Sequence, residues 1–417
     1  MALKLNSLTN EVFEASSQHD ETVRVNSTSI SRNDIIASGR LIACEYVGNN
    51  LNKRKNQTEQ YVSRLNSEGL DYSTYAALHR DNKLMFCAAM ANKAVGKPAP
   101  NSVKEVKDDP GYCKNETFLR TMAAIDRDIL TPLMFSVFDD VSAGGLMQWM
   151  PVPMGSTYEV DIRSNDVFLF EDSSFGSAKS TTKNYLYGKT ITLNPTPYSC
   201  NATIYWYRDV VNGDSGYYYA AIMRGMWNKI YAKFLGALKN AANGASFIPA
   251  GLTADTYTTA NWINITEKVA AANGVEVSDL LAFGTRASLS NVLPVDGEGG
   301  AILGLQYGLG KEWFQEGFLP NAAGVDLVPV RPTIVPGTQN STVDLLTLDD
   351  SIFILAKAGA GYAPMYGAYF EGSPLQLTAT PRETADLTID INVTAMFDIK
   401  PVFASKVGLI TSVYPNT

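Results

Sequence analysis

One stretch of the chain, residues 214–244, has the pattern of a single long amphipathic helix (DSGYYYAAIMRGMWNKIYAKFLGALKNAANG). Asp214 or Ser215 can cap its first turn, and Gly244 can end it in the left-handed conformation. Apolar residues recur at helical spacing and can bury one face: Tyr219, Ile222, Met226, Ile230, Phe234, Leu238 and Ala241. Such a helix is roughly 45 Å long. Because extended, turn-rich segments flank it, we interpret it as the spine of a thin, flat body.

The composition indicates a globular protein rather than a disordered one. The 417 residues allow two or three domains, with 45% hydrophobic and 18% charged residues. A net charge of -8 means that the average surface repels nucleic acid, although a local basic face is compatible with it. The longest apolar run, residues 352–356, is too short to cross a bilayer, and no secretory signal is recognisable. We therefore expect a soluble protein made in a cytoplasm.

The N-terminal third contains a polar arm followed by helices. Residues 1–33 are rich in Ser, Asn and Thr, and residues 33–65 and 73–94 have helical patterns. The second of these helices carries an apolar set: Leu78, Met85, Phe86 and Met90. Prolines and glycines predict a loop over 96–111, and a further helix is expected over 115–141 with a kink at Pro132.

The segment before the spine predicts a long hairpin arm. Strand patterns occur in the region 158–170, over 185–193 and in ATIYWYRDVV at 202–211, whereas residues 172–184 form a polar, protruding, mobile loop. Two strands joined by an exposed tip have no core of their own. The arm would therefore need a neighbour to lie on.

The segment after the spine predicts a compact α/β unit. Helical patterns cover 266–273 and 278–281, and LLAFGTRASLSNVLP predicts a strand, a turn at Gly284 and Thr285, and a short helix. Residues 297–310 hold six glycines, 325–335 favour an edge strand because of their prolines, and 350–358 indicate a buried strand. Residues 387–399 alternate with a strict period of two, which is the clearest strand signal in the chain.

No catalytic, cofactor-binding or metal-ligating residue is predicted. His19 and His79 lack a partner nucleophile in the sequence and are interpreted as surface residues. Adjacent aspartates at 108–109, 139–140 and 349–350 diverge in direction and fit turns or caps better than acid/base pairs. The four cysteines contain no CxxC pair and are interpreted as buried free thiols: Cys44, Cys87, Cys113 and Cys200.

Three apparent motifs do not meet their physical requirements. The segment 304–311 (GLQYGLGK) has the wrong spacing for a phosphate loop, and Glu312 replaces the hydroxyl residue. Gly359 and Gly361 lack the third glycine of a dinucleotide fingerprint. Tyr217, Tyr218, Tyr219 and Trp227 could stack on bases, but packing along the spine is the ordinary explanation for them.

The order of these parts resembles the major capsid protein family of tailed bacteriophages. The segments that carry the resemblance are YEVDIRSND, IYWYRDVVNGDSGYYYAAIMRGMWNKIY, LLAFGTRASLSNVLP, VDLVPVRPTIVPG, SIFILAKAGAGYAPMYG and LTIDINVTAMFDIK. The resemblance implies an α+β fold divided into six parts. These are an N-terminal arm and helical region (1–114), a helix and lead-in to the peripheral domain (115–157), the extended loop (158–211), the spine helix of the peripheral domain (212–250), the axial domain (251–348), and axial and peripheral return strands (349–417).

The resemblance also implies a structural function without enzymatic activity or cofactors. Copies of the chain would assemble as hexamers and pentamers into an icosahedral shell around the phage genome. Expected partners are other copies, a portal, and possibly scaffolding or decoration proteins, with double-stranded DNA enclosed but not read in sequence. Assembly would take place in the bacterial host cytoplasm, and the protein would reside in the virion. Because the chain keeps Met1, N-terminal proteolytic maturation is not expected.

Three alternatives make different predictions. An encapsulin-like compartment shell shares this architecture, but the long N-terminal region fits it less well. A surface adhesin predicts an export signal, which is not recognisable here. A hydrolase predicts a clustered nucleophile and base, which the residue pattern does not provide.

Overall fold

The fold is a mixture of helices and sheets, as the sequence predicts. The computed structural model describes residues 21–25, 28–51, 72–141, 147–153, 155–163, 188–243, 248–293, 316–330, 333–335, 337–338, 341–346, 351–357, 363, 365–371, 374–383, 386–401 and 406–411. The helices are α1 (Arg32–Leu51), α2 (Tyr72–Ala94), α3 (Val103–Asp108), α4 (Glu116–Val141), α5 (Ser215–Asn243), α6 (Thr259–Asn273) and α7 (Arg286–Ser290).

The strands fall into two larger sheets and three two-stranded ladders. They are β1 (Thr22–Val25), β2 (Thr28–Ser31), β3 (Met147–Val152), β4 (Tyr158–Arg163), β5 (Gly188–Leu193), β6 (Thr196–Tyr205), β7 (Thr253–Ala254), β8 (Leu280–Gly284), β9 (Asn321–Ala322), β10 (Val325–Pro329), β11 (Thr333–Ile334), β12 (Leu345–Leu346), β13 (Ile352–Ala356), β14 (Met365–Phe370), β15 (Leu375–Glu383), β16 (Thr388–Pro401) and β17 (Gly408–Ile410).

Strand β16 organises the first sheet. Phe397 pairs with Tyr369 of β14 and with Thr196 of β6, so these two strands flank β16 on opposite sides. Strand β15 continues along β16 from Ala395 to Thr388, and β3 adds to the far side of β14 in parallel. The predicted period of two is confirmed, because alternate β16 side chains are buried: Ile389, Ile391, Val393, Ala395, Phe397 and Ile399.

Helices α4 and α5 cover the buried face of this first sheet. Phe138 of α4 stacks on Trp149 of β3 with ring centroids 3.9 Å apart, and it also meets the Phe397 ring. Gly367 of β14 makes room for this stack, since a Cβ there would lie 2.4 Å from a ring carbon of Trp149. The aromatic cluster therefore fixes the C-terminal half of α4 on the sheet.

The second sheet has the strand order β7-β17-β13-β8-β10-β9. Its central strands β8 and β13 are antiparallel, and every residue in both is buried, as predicted for 350–358. Helix α6 packs against β7, β13 and β17. Strand β10 pairs with β8 along Asp326–Pro329 but with the short β9 only at Val325 and Asp326. Its first residues are therefore covered on both sides, whereas the end that carries Pro329 lies at the edge of the sheet, as predicted.

The predicted spine is α5, which starts at Ser215 and ends at Asn243. Asp214 caps it by accepting a hydrogen bond from the Gly216 N–H at 2.8 Å. The predicted stripe is buried at Tyr219, Met226, Ile230, Phe234 and Leu238, and half-buried at Ile222. The Phe234 ring meets Phe283 of β8 edge-on at 5.4 Å, so the spine helix contacts both the first sheet and the second.

Helices α1 and α2 belong to the main core rather than to a separate module. Both contact α4 and α5. Their apolar residues form one cluster with the spine: Ile35, Ile36, Ala43, Leu84, Met85, Phe86 and Ala88. Leu78 is 51% exposed, so its predicted place in the apolar set of α2 is wrong. Residues 52–65 of the first predicted helix lie outside the described residues.

The predicted strand 202–211 ends early. Beyond Tyr205, residues Trp206–Val211 form a π-helix. The Asp209 carboxylate accepts a hydrogen bond from the Tyr205 N–H at 2.8 Å, and the fully buried Trp206 anchors the turn in the core. Local side-chain bonding and burial therefore override the β propensity of the aromatic residues.

Three smaller boundaries also differ from the prediction. Helix α6 begins at Thr259 rather than 266, because the Thr258 hydroxyl caps it through the Asn261 N–H. Residues Val277–Asp279 form a 3-10 turn, and Leu280 already belongs to β8, so the helix predicted over 278–281 is wrong. The loop predicted over 96–111 contains α3, which Ser102 caps.

The hairpin of β4 and β5 is present, and its base packs in a small core. Val160 and Leu193 are buried with residues of β3 and β14 in a separate hydrophobic cluster that includes Tyr366. Half of the buried residues of this cluster come from β3 and β14, so the base of the hairpin packs on neighbouring strands, as expected for an arm without a core of its own. The predicted mobile tip, 172–184, lies outside the described residues.

Pro132 lies inside α4 and removes a backbone donor from it. The carbonyl of Asp128, four residues earlier, cannot accept a hydrogen bond from a proline. Arg40 of α1 supplies the missing bond, since its Nη2 donates to the Asp128 carbonyl oxygen at 2.9 Å. The Asp128 carboxylate also pairs with Arg32 at 2.6 Å. Two arginines of α1 thus hold the interrupted turn of α4.

We expect Arg40→Met to lower the free energy of unfolding by about 1–3 kcal/mol, because it leaves a buried carbonyl unsatisfied. In a Pro132→Ala background the cost should be smaller, since alanine restores the N–H. Chemical denaturation of the four proteins of this cycle measures the difference. Arg120→Met is the control, because Arg120 lies on an exposed face of α4. If Arg40→Met lowered the free energy of unfolding equally in both backgrounds, the hydrogen bond of Arg40 at the Pro132 turn would not account for its effect.

Candidate functional site: a buried polar cluster under the spine helix

Five polar side chains from four helices meet beneath the spine helix, and we call them the buried polar cluster. They are Ser38 of α1, His79 and Lys83 of α2, Asp126 of α4 and Tyr219 of α5. His79 and Asp126 are each 2% exposed, and Tyr219 is fully buried. His79 and Lys83 lie four residues apart, so they occupy the same face of α2.

The centre of the cluster is an ion pair between Lys83 Nζ and Asp126 Oδ1. The Tyr219 hydroxyl donates to the same carboxylate oxygen at 2.8 Å and accepts from Lys83 Nζ at 3.3 Å. Burial, followed by the nearby Asp126 charge, raises the pKa of Tyr219 well above its ordinary value, so its hydroxyl stays protonated. The buried carboxylate therefore receives two donors, which compensate for its removal from water.

His79 completes the cluster as a neutral ring. Its Nδ1 lies 2.8 Å from Ser38 Oγ, and its Nε2 lies 3.5 Å from the Tyr219 oxygen. Burial, followed by the positive charge of Lys83, lowers the pKa of His79 to about 3. The interpretation of His79 as a surface residue is therefore wrong. Sequence periodicity gives no signal for it, because its partners come from helices far along the chain.

Gly39 allows α1 to approach the cluster closely. A Cβ at this position would lie 2.4 Å from Ile129 Cδ1 of α4 and 3.0 Å from His79 Cε1. Any side chain would therefore push α1 away from α2 and α4. The glycine places Ser38 within hydrogen-bonding distance of His79.

A cavity of about 50 Å³ adjoins the buried polar cluster. Lys83 and Asp126 line it from one side, and Asp209 and Tyr218 from the other. The Tyr218 hydroxyl is buried without a hydrogen-bond partner among the described residues, and burial raises its pKa well above the ordinary value. The volume and these polar groups suit one small polar molecule such as water.

The arrangement does not provide an activated nucleophile among the described residues. Cys87 lines the same cavity, but burial raises the pKa of its thiol to about 12, so it remains protonated. Within the described ranges, no three His, Cys, Asp or Glu side chains lie close enough to hold a metal ion. None of the helices in the described part of the chain is both long and apolar enough to cross a membrane.

The other residues singled out in the sequence are scattered. Cys113 is buried and free, as predicted, but Cys200 on β6 is exposed, so the prediction is wrong there. Asp109 caps the turn Pro110–Lys114, which confirms its interpretation as a capping residue. Trp227 packs on Tyr231 with ring centroids 4.1 Å apart, as core packing predicts. Tyr217 is 63% exposed, so packing along the spine is wrong for this residue.

Other candidates lie outside the described residues, wholly or in their side chains: His19, Cys44, Asp139, Asp140, Asp349, Asp350 and the segments 304–311 and 359–361.

No protein-family model matches this chain, and no curated protein matches it. Solved structures do. The mature capsid of bacteriophage PhiM1 shares 12% identity at a TM-score of 0.40, over 65% of this chain and 87% of that one. The head structure of Helicobacter pylori bacteriophage KHP40 shares 9% identity at a TM-score of 0.43, over 65% of this chain and 89% of that one. The holo-SrpI encapsulin complex of Synechococcus elongatus shares 10% identity at a TM-score of 0.37, over 65% of this chain and 88% of that one.

Phage capsid proteins are among the structures similar to this chain. Identities of 9–12% and TM-scores of 0.37–0.43 do not establish a shared function on their own.

We expect Lys83→Met to lower the free energy of unfolding by about 3–5 kcal/mol, because it leaves the Asp126 charge buried and unpaired. The double variant Lys83→Met/Asp126→Leu should recover a large part of this loss, since apolar residues of similar volume can replace a buried ion pair. Denaturant titration of the single and double variants measures both effects. A double variant as unstable as the sum of the singles would show that the pair is not coupled.

We expect His79 to make the fold less stable in acid. Its folded pKa of about 3 is below its ordinary unfolded value near 6.5, so the unfolded state binds the proton first. The contribution of His79 to the free energy of unfolding is complete above about pH 6.5. It decreases as the pH falls towards about 3, by up to about 1.4 kcal/mol per pH unit.

The difference between His79→Gln and the unmodified protein isolates this contribution from that of the carboxylates. Unfolding midpoints are measured at several pH values between about 4 and about 8, a range chosen from the pKa values of His79. The midpoints of the two proteins should converge in acid. A constant difference over this range would contradict the titration of a buried His79.

Proposed function

We propose that this chain is a major capsid protein of the tailed-bacteriophage family, a structural subunit of a closed protein shell. The observation that carries the proposal is the path of the chain through its two sheets. Strands β3 and β6 of the first sheet precede the spine helix, the second sheet begins after it, and β14, β15 and β16 return to complete the first sheet. The spine helix packs against both sheets.

The domain boundaries expected from the resemblance are compatible with this path. The first sheet with α4 and α5 corresponds to the peripheral domain, and the second sheet with α6 and α7 corresponds to the axial domain. Strands β13 and β17 belong to the second sheet although they follow residue 349, which fits a final segment shared by both domains. The β4–β5 hairpin takes the place of the extended loop.

The hairpin supports self-association. Only one of its faces is packed in the small core with β3 and β14. The other face carries the exposed carboxylates Glu159 and Asp161. A two-stranded ribbon of this kind is marginally stable alone, so contact with a neighbouring copy would stabilise it. We propose that this face of the hairpin contacts a second copy of the chain.

The finer features of the proposal follow the family. Copies assemble as hexamers and pentamers around double-stranded DNA, with a portal and scaffolding or decoration proteins as further partners. Assembly takes place in the host cytoplasm, the protein resides in the virion, and no catalysis is required of it. The enclosed position of the buried polar cluster supports a structural role, since His79 is only 2% exposed.

An encapsulin-like compartment is the second candidate. The similarity to the Synechococcus encapsulin structure favours including it. The contents of particles purified from a lysate distinguish the two, because a phage head encloses DNA and an encapsulin encloses protein.

We expect the purified, nuclease-treated protein to form particles of megadalton mass. Light scattering gives the mass, and negative-stain imaging of the same fraction shows whether hexameric and pentameric units are present. A monomer or dimer that persists at high protein concentration would overturn the proposal.

A matched pair of variants tests the hairpin. Glu159→Lys/Asp161→Lys should reduce the yield of particles while the melting temperature of the subunit changes little, since both side chains are exposed. Glu105→Lys/Asp108→Lys makes the same charge change at exposed positions of α3 and should leave the yield intact. Equal loss of particles in both variants would show that net charge, rather than the hairpin face, limits assembly.

A further inference from the structure

The spine helix carries positive charge only. Over its 29 residues it contains Arg224, Lys229, Lys233 and Lys239 and no aspartate or glutamate. The whole chain has a net charge of -8, so this helix departs from the average in sign. A single-sign face on an acidic protein indicates a site for a ligand of the opposite charge.

Three of these cations are available to such a ligand. Arg224, Lys229 and Lys233 are exposed, and no described acidic side chain lies within 4.0 Å of them. Several other cations of the described part are paired with carboxylates: Arg32, Lys83, Lys107, Arg120, Arg208 and Lys357. Among the described residues, the three spine cations thus have no acidic partner within ion-pair distance.

The two lysines are held in place by an aromatic ring. Lys229 Nζ and Lys233 Nζ lie 4.9 Å and 5.0 Å from the centroid of the Tyr198 ring on β6. Like charges one helical turn apart repel each other, but the face of the ring attracts both. Tyr198 therefore positions two positive charges at the border between helix and sheet.

The surface between the cations has low relief. With about 100° of rotation per residue, Arg224 lies on one border of the exposed arc and the two lysines on the other, with Gly225 and Gly236 between them. A Cβ built at either glycine meets no atom within 4 Å. The face is therefore open enough for a broad, rod-shaped ligand to lie along the helix.

We propose that the exposed face of α5 binds the phosphate backbone of double-stranded DNA. Arg224, Lys229 and Lys233 extend along about 14 Å of helix, and a duplex carries a negative charge for about every 1.7 Å of its axis, so each cation can meet a phosphate. The proposed contacts go to phosphate groups, which carry no sequence information, so we expect binding to be independent of sequence. Only the identity of the natural ligand, the packaged genome, rests on the proposed function.

Fluorescence anisotropy of the full-length protein with two labelled DNA duplexes of unrelated sequence tests the proposal over a range of NaCl concentrations. We expect similar affinities for both duplexes. The triple variant Arg224→Gln/Lys229→Gln/Lys233→Gln loses three phosphate contacts. The slope of log affinity against log salt concentration should therefore become less negative by about 2.7. Arg224→Gln alone should make the slope less negative by about 0.9. This single variant is used instead if the triple variant melts at a lower temperature.

The control Lys93→Gln/Lys97→Gln/Lys104→Gln removes the same charge from exposed positions around the end of α2. It should keep the affinity and slope of the unmodified protein. Equal weakening in both triple variants would overturn the proposal, because net charge alone would then explain binding. Unchanged DNA binding together with loss of particles would also overturn it and would assign the face to an acidic surface of another copy. Particle mass is measured separately, so failure of DNA binding and failure of shell formation remain distinguishable.

Discussion

The ion pair between Lys83 and Asp126 is the contact on which the helical layer depends. It is buried beneath the spine helix, and the Tyr219 hydroxyl joins α5 to the same carboxylate. A charge in this position is tolerated only when its partners are correctly placed, so α2, α4 and α5 cannot slide past one another without a large loss of free energy. Arg40 adds a second polar link at the Pro132 turn, between α1 and α4. Polar contacts thus set the register of helices whose apolar packing alone would permit several arrangements.

The spine helix transmits this order to both sheets. Its buried stripe packs against β16, and Phe234 continues the contact to Phe283 in the second sheet. The stripe is apolar, and every charged residue of the helix is a cation. One helix therefore contacts both sheets, closes the buried polar cluster through Tyr219, and exposes cations that have no acidic partner among the described residues.

The sequence was sufficient for elements whose pattern is local and strong. The spine and β16 were predicted to within one or two residues, because their periodicities of 3.6 and 2 extend over many positions. The π-helix at Trp206–Val211 could not be predicted, since it depends on Asp209 bonding to a backbone N–H and on burial of Trp206. His79 was misread for a related reason. Its polar partners come from two other helices, which no short window of sequence contains.

The position of β16 has a consequence for biosynthesis. This strand is the centre of the first sheet, yet it lies near the C-terminal end of the chain, and it pairs with β6 between Asn201 and Asn392. Strand β6 and the sheet-facing side of α4 therefore leave the ribosome long before the strand that unites them. Contacts so distant in sequence form slowly, and the exposed intermediates are prone to wrong association. Completion of the first sheet must therefore wait until β16 has been synthesised, so a partly made chain cannot present the finished sheet.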